Sequence, residues 1–321
     1  MTRILLGCGG LAALTGCTST LTGNEGNFQF HYVTDDAFTD FNKPIAVGAL
    51  LDVYVTEVGS SSPIDLSGAS VDDTAVLDVV DFAANIVTLE GMGDGTALVS
   101  VEGAVSGGET LTDSVNMLSS VPEVLVLNHT CTTGADAAWL VGQRLWLPWE
   151  MEMENGQPVI GYGYYPAAFS DGTAALSDSD SGAVYLAIDT ASVGTAELVS
   201  AIDSTTLSAS VVEASAIDGV ADPVAFVLED IDVGDTNAFY ALPMVGELTV
   251  CQAKTDKVVE SLTPSICTVT DSDPDDTASL EEWGWFDVTG VAEGTCEFSV
   301  TYTAGNGGQG ATETFTYPIE P

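Results

Sequence analysis

The sequence predicts an all-β protein built from three similar modules in tandem, and three observations support this prediction. Two short motifs each occur three times, at a period of about 100 residues. Short segments rich in Val, Thr and Ser alternate apolar with polar residues, which is typical of strands that bury one face. No stretch shows the apolar period of a long amphipathic helix.

Residues 1–16 are predicted to be a signal peptide that is absent from the mature protein. Arg3 gives a short positive start. The apolar stretch from Ile4 to Leu14 that follows is shorter than the roughly 20 residues that span a bilayer. The segment ends in Leu14-Thr15-Gly16-Cys17, which resembles the lipobox of bacterial lipoproteins. An ordinary signal peptide followed by a chance cysteine is the alternative.

The lipobox resemblance implies that Cys17 carries a diacylglyceryl thioether and usually a third acyl chain. Such an anchor holds a protein to a membrane more firmly than one reversible myristoyl group. Because Thr18 is not Asp, the inner-membrane retention signal of the family is missing. The resemblance therefore implies an outer-membrane or cell-surface location, with the body in the periplasm or the extracellular space. Residues 17–27 are small and polar, which predicts a flexible, lipidated tether.

The composition limits the range of partners. The chain has 48 acidic residues, 5 Lys+Arg and a formal net charge of −43, so it lacks the basic surface that nucleic acids or anionic membranes require. Hydrophobic residues make up 45% of the chain, which is enough for folded cores. There are only two histidines and no zinc, nucleophile-elbow or phosphate-loop motif, so we expect no catalytic activity. A lipid-anchored enzyme is the remaining alternative, because the abundant Ser and Asp residues leave a Ser-His-Asp triad open.

The repeated motifs divide the rest of the chain. The first motif, Val47-Gly48, recurs at Val141-Gly142 and is assigned in the third module to Val245-Gly246. The second motif begins at Gly95-Thr96, Gly194-Thr195 and Gly294-Thr295. The predicted modules span residues 28–121, 122–219 and 220–321, of which the second is the most divergent.

Each module is predicted to be an immunoglobulin-like β-sandwich. Leu51, Val53 and Val55 alternate with polar neighbours, and turn motifs separate short strands. The third module matches best, with the segments 263–269 and 288–296, and it resembles bacterial immunoglobulin-like domains of group 2. Modules of that family commonly serve as rigid spacers in surface proteins and adhesins, and only sometimes bind ligands. A shared fold does not by itself establish function.

Aromatic residues concentrate in the second module. They are Trp139, Trp146, Trp149, Tyr162, Tyr164, Tyr165 and Phe169. The alternation of Leu145, Leu147 and Trp149 assigns Trp149 to the core and places Trp146 on the opposite face. A ligand in this module would be bound by Trp146 with Tyr162, Tyr164 and Tyr165. The alternative is that these rings form a core and a tyrosine-lined loop.

An acidic segment predicts a weak calcium site, the one cofactor that the sequence suggests. Asp271, Asp273, Asp275 and Glu282 occupy positions 1, 3, 5 and 12 of an EF-hand-type loop. Position 6 is Asp276 where the turn favours Gly, and no flanking helices are expected. A solvated acidic surface is the alternative, because acidic residues occur along the whole chain.

Four cysteines besides Cys17 remain in the mature chain. The resemblance to the group 2 domains implies a disulfide between Cys267 and Cys296, in facing strands of the third module. Pairing of Cys251 with Cys296 is the rival, because Cys251 has the inward phase of a strand. Cys131 and Cys251 would otherwise bridge the second and third modules or stay reduced.

Together these features predict a lipid-anchored, non-catalytic surface protein with a structural or adhesive role. Its expected partners are the membrane, through the lipid on Cys17, and a surface protein or glycan. A carbohydrate- or protein-binding lipoprotein that uses the aromatic residues of the second module is the alternative.

Overall fold

A computed structural model describes residues 20–33, 43–60, 62–131, 136–225, 230–253, 257–272, 284–303 and 310–321. The predicted signal peptide and Cys17 lie outside these ranges. Strands dominate the described residues, and the one helical element in them is a 3₁₀ turn, Ala214–Ala216. No helix in this part of the chain is long and apolar enough to cross a membrane.

The first module consists of two facing sheets. Its strands are β1 (Thr20–Thr22), β2 (Phe28–Val33), β3 (Ile45–Ala46), β4 (Leu50–Glu57), β5 (Asp65–Val71), β6 (Leu77–Ala83), β7 (Ile86–Gly91), β8 (Gly95–Ala104) and β9 (Thr110–Ser120). One sheet has the order β1-β2-β4-β7-β6, and the other has the order β3-β9-β8-β5. The short strand β3 runs parallel to the end of β9, and the other pairs are antiparallel.

The second module repeats this arrangement. Its strands are β10 (Val124–Leu127), β11 (Asp136–Leu140), β12 (Arg144–Glu152), β13 (Pro158–Val159), β14 (Ala167–Phe169), β15 (Ala174–Leu176), β16 (Tyr185–Thr190), β17 (Gly194–Ser200) and β18 (Thr206–Val212). The sheet β10-β12-β16-β15, with β13 beside β12, faces the sheet β11-β18-β17-β14. Strand β11 runs parallel to β18, as β3 does to β9.

The third module has the same plan with one added sheet. Its strands are β19 (Gly219–Val220), β20 (Val224–Ala225), β21 (Ile231–Asp232), β22 (Thr236–Tyr240), β23 (Pro243–Val245), β24 (Leu248–Thr249), β25 (Lys257–Ser261), β26 (Cys267–Asp271), β27 (Trp285–Gly290), β28 (Gly294–Tyr302) and β29 (Ala311–Glu320). The sheets are β20-β22-β27-β26 and β21-β29-β28-β25, with a smaller sheet β19-β23-β24.

The chain therefore forms three immunoglobulin-like β-sandwiches, each with a separate hydrophobic core. Inward residues alternate with outward ones as the sequence indicates: Leu51, Val53 and Val55 are buried, and the intervening Asp52 and Tyr54 are only partly so. Burial of one such side chain contributes about 1.5–3 kcal/mol, which is why this alternation sets the strand register.

The structure corrects the prediction for the tether. Residues 20–27, predicted to be part of a flexible segment, form strand β1 and a tight turn that leads into β2. Asp113 explains why this segment has a defined conformation, because its carboxylate accepts hydrogen bonds from the backbone N–H groups of Glu25, Asn27 and Phe28 at 2.7–2.9 Å. Small polar residues thus serve here to make a turn rather than a free linker.

The structure also corrects one motif assignment. In the third module the equivalent of Val47-Gly48 is Val233-Gly234, not Val245-Gly246. The Gly48 N–H donates to the carbonyl of Gly91 at 2.7 Å, and the Gly234 N–H donates to the carbonyl of Gly290 at 2.9 Å. Val245-Gly246 instead joins β23 to β24. Glycine suits both places because each has a positive φ, +97° and +60°.

Candidate functional site: the junctions between modules

The predicted aromatic platform of the second module is not a single site. Trp146 is half-buried on the outer face of β12, opposite the buried Trp149, as the alternation predicts. Its backbone N–H and carbonyl bond to the side chain of Gln252 in the third module. Tyr162 instead lies against the first module, where its hydroxyl donates to Asp52 at 3.0 Å. Trp146 and Tyr162 therefore lie at opposite ends of the module.

The other two tyrosines are also engaged. The Tyr164 ring lies over Gly48, where an added Cβ would come within 3.4 Å of its Cδ2. Tyr165 packs edge-on against Trp149, with ring centroids 5.5 Å apart, and its hydroxyl donates to the carbonyl of Ser181. The three tyrosines thus hold the first junction and the core of the second module, and do not join Trp146 in a common surface.

The junction between the first two modules is formed by a segment that follows β13. The Ile160 N–H donates to the carbonyl of Pro44 at 2.9 Å, and the Ile160 carbonyl accepts from Ala46 at 2.8 Å. Two residues further, Tyr162 and Leu50 exchange both backbone hydrogen bonds at 2.8 Å. The Ile160 side chain is only 8% exposed and belongs to the core of the first module. The segment thus pairs with the backbone of the preceding module at two isolated bridges, one to β3 and one to β4.

Local sequence explains why this segment can approach so closely. Gly161 has φ +142°, and a Cβ at this position would lie 2.5 Å from the Cβ of Ala49. Ala46 and Ala49 are fully buried and belong to the core of the second module. Small residues on both sides therefore let the two backbones pair. Burial, together with the hydrogen bond to the neighbouring Asp52, raises the pKa of Tyr162 to about 12, which keeps its hydroxyl a donor.

The junction between the second and third modules is formed in the same way. The segment after β24 runs against β11, where the Cys251 N–H donates to the carbonyl of Ala138 at 2.9 Å. Cys251 belongs to the core of the second module, while Ala138 and Leu140 belong to the core of the third. The buried side-chain amide of Gln252 bonds the N–H and the carbonyl of Trp146, as a paired strand would.

Two disulfides stabilise the third module and its junction. Cys267 at the start of β26 pairs with Cys296 on β28, so this bond joins the two facing sheets within the module. Cys131 pairs with Cys251, with their Cα atoms 5.2 Å apart, and so links the second module to the third. The rival pairing of Cys251 with Cys296 does not form.

The predicted calcium ligands are only partly described. Asp273, Asp275 and Glu282 lie outside the described residues. Asp271 is described, and its carboxylate forms a largely buried ion pair with Lys257 at 2.9 Å. Lys257 Nζ also donates to the carbonyl of Trp285. Among the described residues no group of three or more His, Cys, Asp or Glu side chains could hold a metal ion.

The two histidines take part in packing. His31 bonds the hydroxyl of Thr56 at 3.2 Å, and burial lowers the pKa of His31. His129 Nε2 bonds the carbonyl of Ser208 at 3.1 Å, and its ring packs edge-on against Trp139. Their partners in these bonds are a threonine hydroxyl and a backbone carbonyl.

Sequence reasoning left the bridge between Cys131 and Cys251 as one of two alternatives, and it missed the other residues that form the junctions, namely Ile160, Gly161 and Gln252. The signal that could have revealed them is the length of two connections between strands. The connections between β12 and β14 and between β22 and β25 are longer than the equivalent connection between β4 and β5 in the first module.

No protein-family model and no curated protein matches the chain. Domains 4–9 of the surface layer protein SbsC are similar at 15% identity and a TM-score of 0.29, over 91% of this chain and 47% of that one. A Bacteroides ovatus protein, SGBP-B, solved in complex with a mixed-linkage heptasaccharide, is similar at 11% identity and a TM-score of 0.26, over 91% and 70%. Invasin, a bacterial integrin-binding protein, is similar at 10% identity and a TM-score of 0.23, over 91% and 60%. The chain spans about half of the SbsC structure, and at these identities the likeness extends no further than the fold.

Proposed function

We propose that this protein is a lipid-anchored, non-catalytic surface protein whose three modules form a stiff structural or adhesive stalk. The observation that carries the proposal is the construction of the junctions. At both of them a segment of the later module pairs with the backbone of the earlier one and places a side chain in the core of the earlier module.

Such junctions favour stiffness over hinge motion. Modules joined only by a linker move relative to each other unless their interface is large and apolar. Here Ile160 is buried in the first core, and Ala46 and Ala49 are buried in the second, so bending would expose apolar surface to water. At the second junction a disulfide adds a covalent link. A rigid spacer is the role for which these features are suited.

The proposed anchor is the lipid on Cys17, which holds the stalk at the outer membrane or cell surface. Two residues separate Cys17 from Thr20, the first residue of β1. At about 3.3–3.6 Å per extended residue this connection reaches roughly 10 Å, so the first module would stay close to the bilayer. The high negative charge favours a soluble body that repels anionic surfaces.

Stiffness is tested by small-angle X-ray scattering on the soluble fragment 20–321. The wild type should give the profile of one extended particle, with a single narrow cross-section. Ile160→Asp combined with Cys251→Ser should broaden the distribution of distances, because the first junction loses its buried apolar side chain and the second loses its disulfide. A wild-type profile as broad as that of the double variant would contradict a stalk.

The adhesive role is tested with the same fragment on intact cells. Capture of a surface protein or glycan by fragment 20–321, and not by the first module alone, would support adhesion. The alternative site in the second module now depends on Trp146 alone, since Tyr162, Tyr164 and Tyr165 are engaged elsewhere. Glycan-array binding that is lost in Trp146→Ala would favour that alternative.

A further inference from the structure

The outer face of one sheet in the third module carries two adjacent aromatic rings. Tyr240 on β22 and Trp285 on β27 are cross-strand partners, with ring centroids 5.4 Å apart and planes tilted by 32°. Both are half-buried and point outward, because their neighbours Phe239 and Phe286 lie in the core. Val224, the partner of Tyr240 on β20, is 54% exposed beside them. The rings and this valine form an apolar strip across three strands.

Polar groups flank this strip on the same face. Asp287 lies two residues after Trp285 on β27. It pairs with Ala238 of β22 on one side and with Thr270 of β26 on the other. Because successive outward residues lie about 7 Å apart, this row is parallel to the aromatic strip and next to it. Ala238, the third member of this row, has a small side chain. The row therefore offers a carboxylate and a threonine hydroxyl beside the aromatic strip.

This combination suits sugars. Aromatic faces carry partial negative charge and attract the C–H groups on the flat side of a pyranose ring. A carboxylate accepts hydrogen bonds from sugar hydroxyls, and a threonine hydroxyl can donate or accept. Sites for small ligands typically combine an apolar surface with a few placed polar groups.

The charge of this sheet face favours neutral sugars over anionic ones. The cation nearest to this strip in the described residues is Lys257, and its Nζ is already bonded to Asp271 and to the carbonyl of Trp285. No positive group of the described face is therefore offered to a sulfate, phosphate or uronic acid. With Asp287 beside the aromatic strip and a net charge of −43, anionic glycans are repelled.

The other modules lack this pairing of rings. At the equivalent positions of the first module, Tyr54 lies beside Ile86, and His31 packs edge-on against Tyr54 with ring centroids 6.0 Å apart. In the second module Pro148 lies beside Tyr185. Within the described residues, two outward aromatic rings at these cross-strand positions occur only in the third module.

We propose that the outer sheet face formed by Tyr240, Trp285, Asp287 and Thr270 binds a neutral polysaccharide. The sugar rings stack on the aromatic pair, and their hydroxyls donate to Asp287. The proposal deepens the adhesive role proposed above and rests on it, because that role places the protein where it meets its ligand. The binding itself requires neither the lipid anchor nor stiff junctions.

The test is isothermal titration of fragment 20–321 with hexasaccharides of glucose, mannose and galactose, and with sulfated hexasaccharides as the anionic arm. At least one neutral oligosaccharide should bind, and Trp285→Ala and Tyr240→Ala should each weaken it by about tenfold or more. Tyr54→Ala and Tyr185→Ala are the matched controls and should leave affinity unchanged. Asp287→Asn keeps the shape of the side chain and should still weaken binding, so the test holds even if an aromatic variant fails to fold.

Three results would overturn the proposal: no neutral oligosaccharide binding at millimolar concentration, equal affinity in Trp285→Ala and the wild type, or equal binding of the sulfated arm. Loss of binding in Trp146→Ala alone would assign the sugar to the second module. A flexible scattering profile or an unlipidated Cys17 would contradict the stalk and leave this binding test unaffected.

Discussion

Ile160 and Cys251 make the same backbone contact in successive modules. Each peptide N–H donates across 2.9 Å to a carbonyl of the preceding module, Pro44 in one case and Ala138 in the other. Each side chain is buried in the core of that preceding module. The first junction relies on an aliphatic side chain at this position, and the second relies on a disulfide.

Ile160→Ala should loosen the first junction. The substitution removes a buried aliphatic group from the core of the first module, which costs about 2–5 kcal/mol. Amide hydrogen exchange should become faster at Ala46 and Leu50, whose N–H groups donate to the docked segment. Val159→Ala is the matched control, because Val159 belongs to the core of the second module. Unchanged exchange at Ala46 in Ile160→Ala would show that the side chain does not hold the junction.

The sequence was sufficient to predict the fold and insufficient to predict the junctions. Strand alternation at Leu51, Val53 and Val55 is a local property, so it reveals a buried face without any knowledge of the partner strand. Docking of Ile160 on Pro44 and Ala46 is a contact between distant segments, and no local period encodes it. The assignment of Val245-Gly246 was wrong for a related reason. A two-residue motif also fits the turn between β23 and β24, and only the parallel strand β21 identifies Val233-Gly234.

Asp113 should make the N-terminal turn sensitive to acid. The Asp113 side chain is buried, and burial alone would raise its pKa, but hydrogen bonds from Glu25, Phe28 and Ser114 outweigh burial and lower the pKa. A lowered folded-state pKa gives stability that is present above the unfolded value of about 4 and is lost as pH falls through the folded-state value. The turn 23–27 should therefore open in acid while the sandwich persists.

Hydrogen exchange at Glu25, Asn27 and Phe28, followed from pH 6 to pH 2, measures this opening. Asp113→Asn should destabilise the turn at neutral pH by about 2 kcal/mol, because it leaves backbone donors poorly paired. Asp94→Asn is a control: Asp94 also bonds a backbone N–H, at Val121, but it lies away from the turn. Protection of Phe28 that is independent of pH would contradict the role of Asp113.

The two disulfides should have different effects when removed. Cys267–Cys296 closes a separation of 29 residues within one module, for which the chain-entropy relation gives about 3.6 kcal/mol. Cys267→Ala with Cys296→Ala should therefore lower the melting temperature of the third module. Cys131→Ser with Cys251→Ser should instead leave that module folded and speed exchange at Trp146, whose N–H bonds Gln252. Peptide mapping without reduction checks the pairing directly.

Lipidation should depend on Cys17 alone. Metabolic labelling with a clickable fatty acid should mark the wild type and not Cys17→Ala, because the thioether and the new N-terminus both require this cysteine. Cys131→Ser with Cys251→Ser serves as the control for loss of unrelated cysteines. Equal labelling of the wild type and Cys17→Ala would exclude the proposed anchor.

The buried cation of Lys257 should be needed for the stability of the acidic third module, and Lys257→Met tests this. Lys257 pairs with Asp271 at 2.9 Å, with both side chains largely buried, and it also bonds the carbonyl of Trp285. Removing one partner of a buried ion pair leaves the other charge uncompensated, which costs about 3–5 kcal/mol. Lys257→Met should therefore destabilise the third module, and adding Asp271→Asn should recover most of the loss, because the remaining charge is then removed. Thermal unfolding of the single and double variants measures this coupling. If the double variant is no more stable than Lys257→Met, the lysine acts through its hydrogen bond to Trp285 or its packing, and not through its charge.

The same pair bears on the predicted calcium site. A metal at 271–282 would have to take Asp271 from Lys257, so calcium heat in the wild type at millimolar concentration should be small and should increase in Lys257→Met.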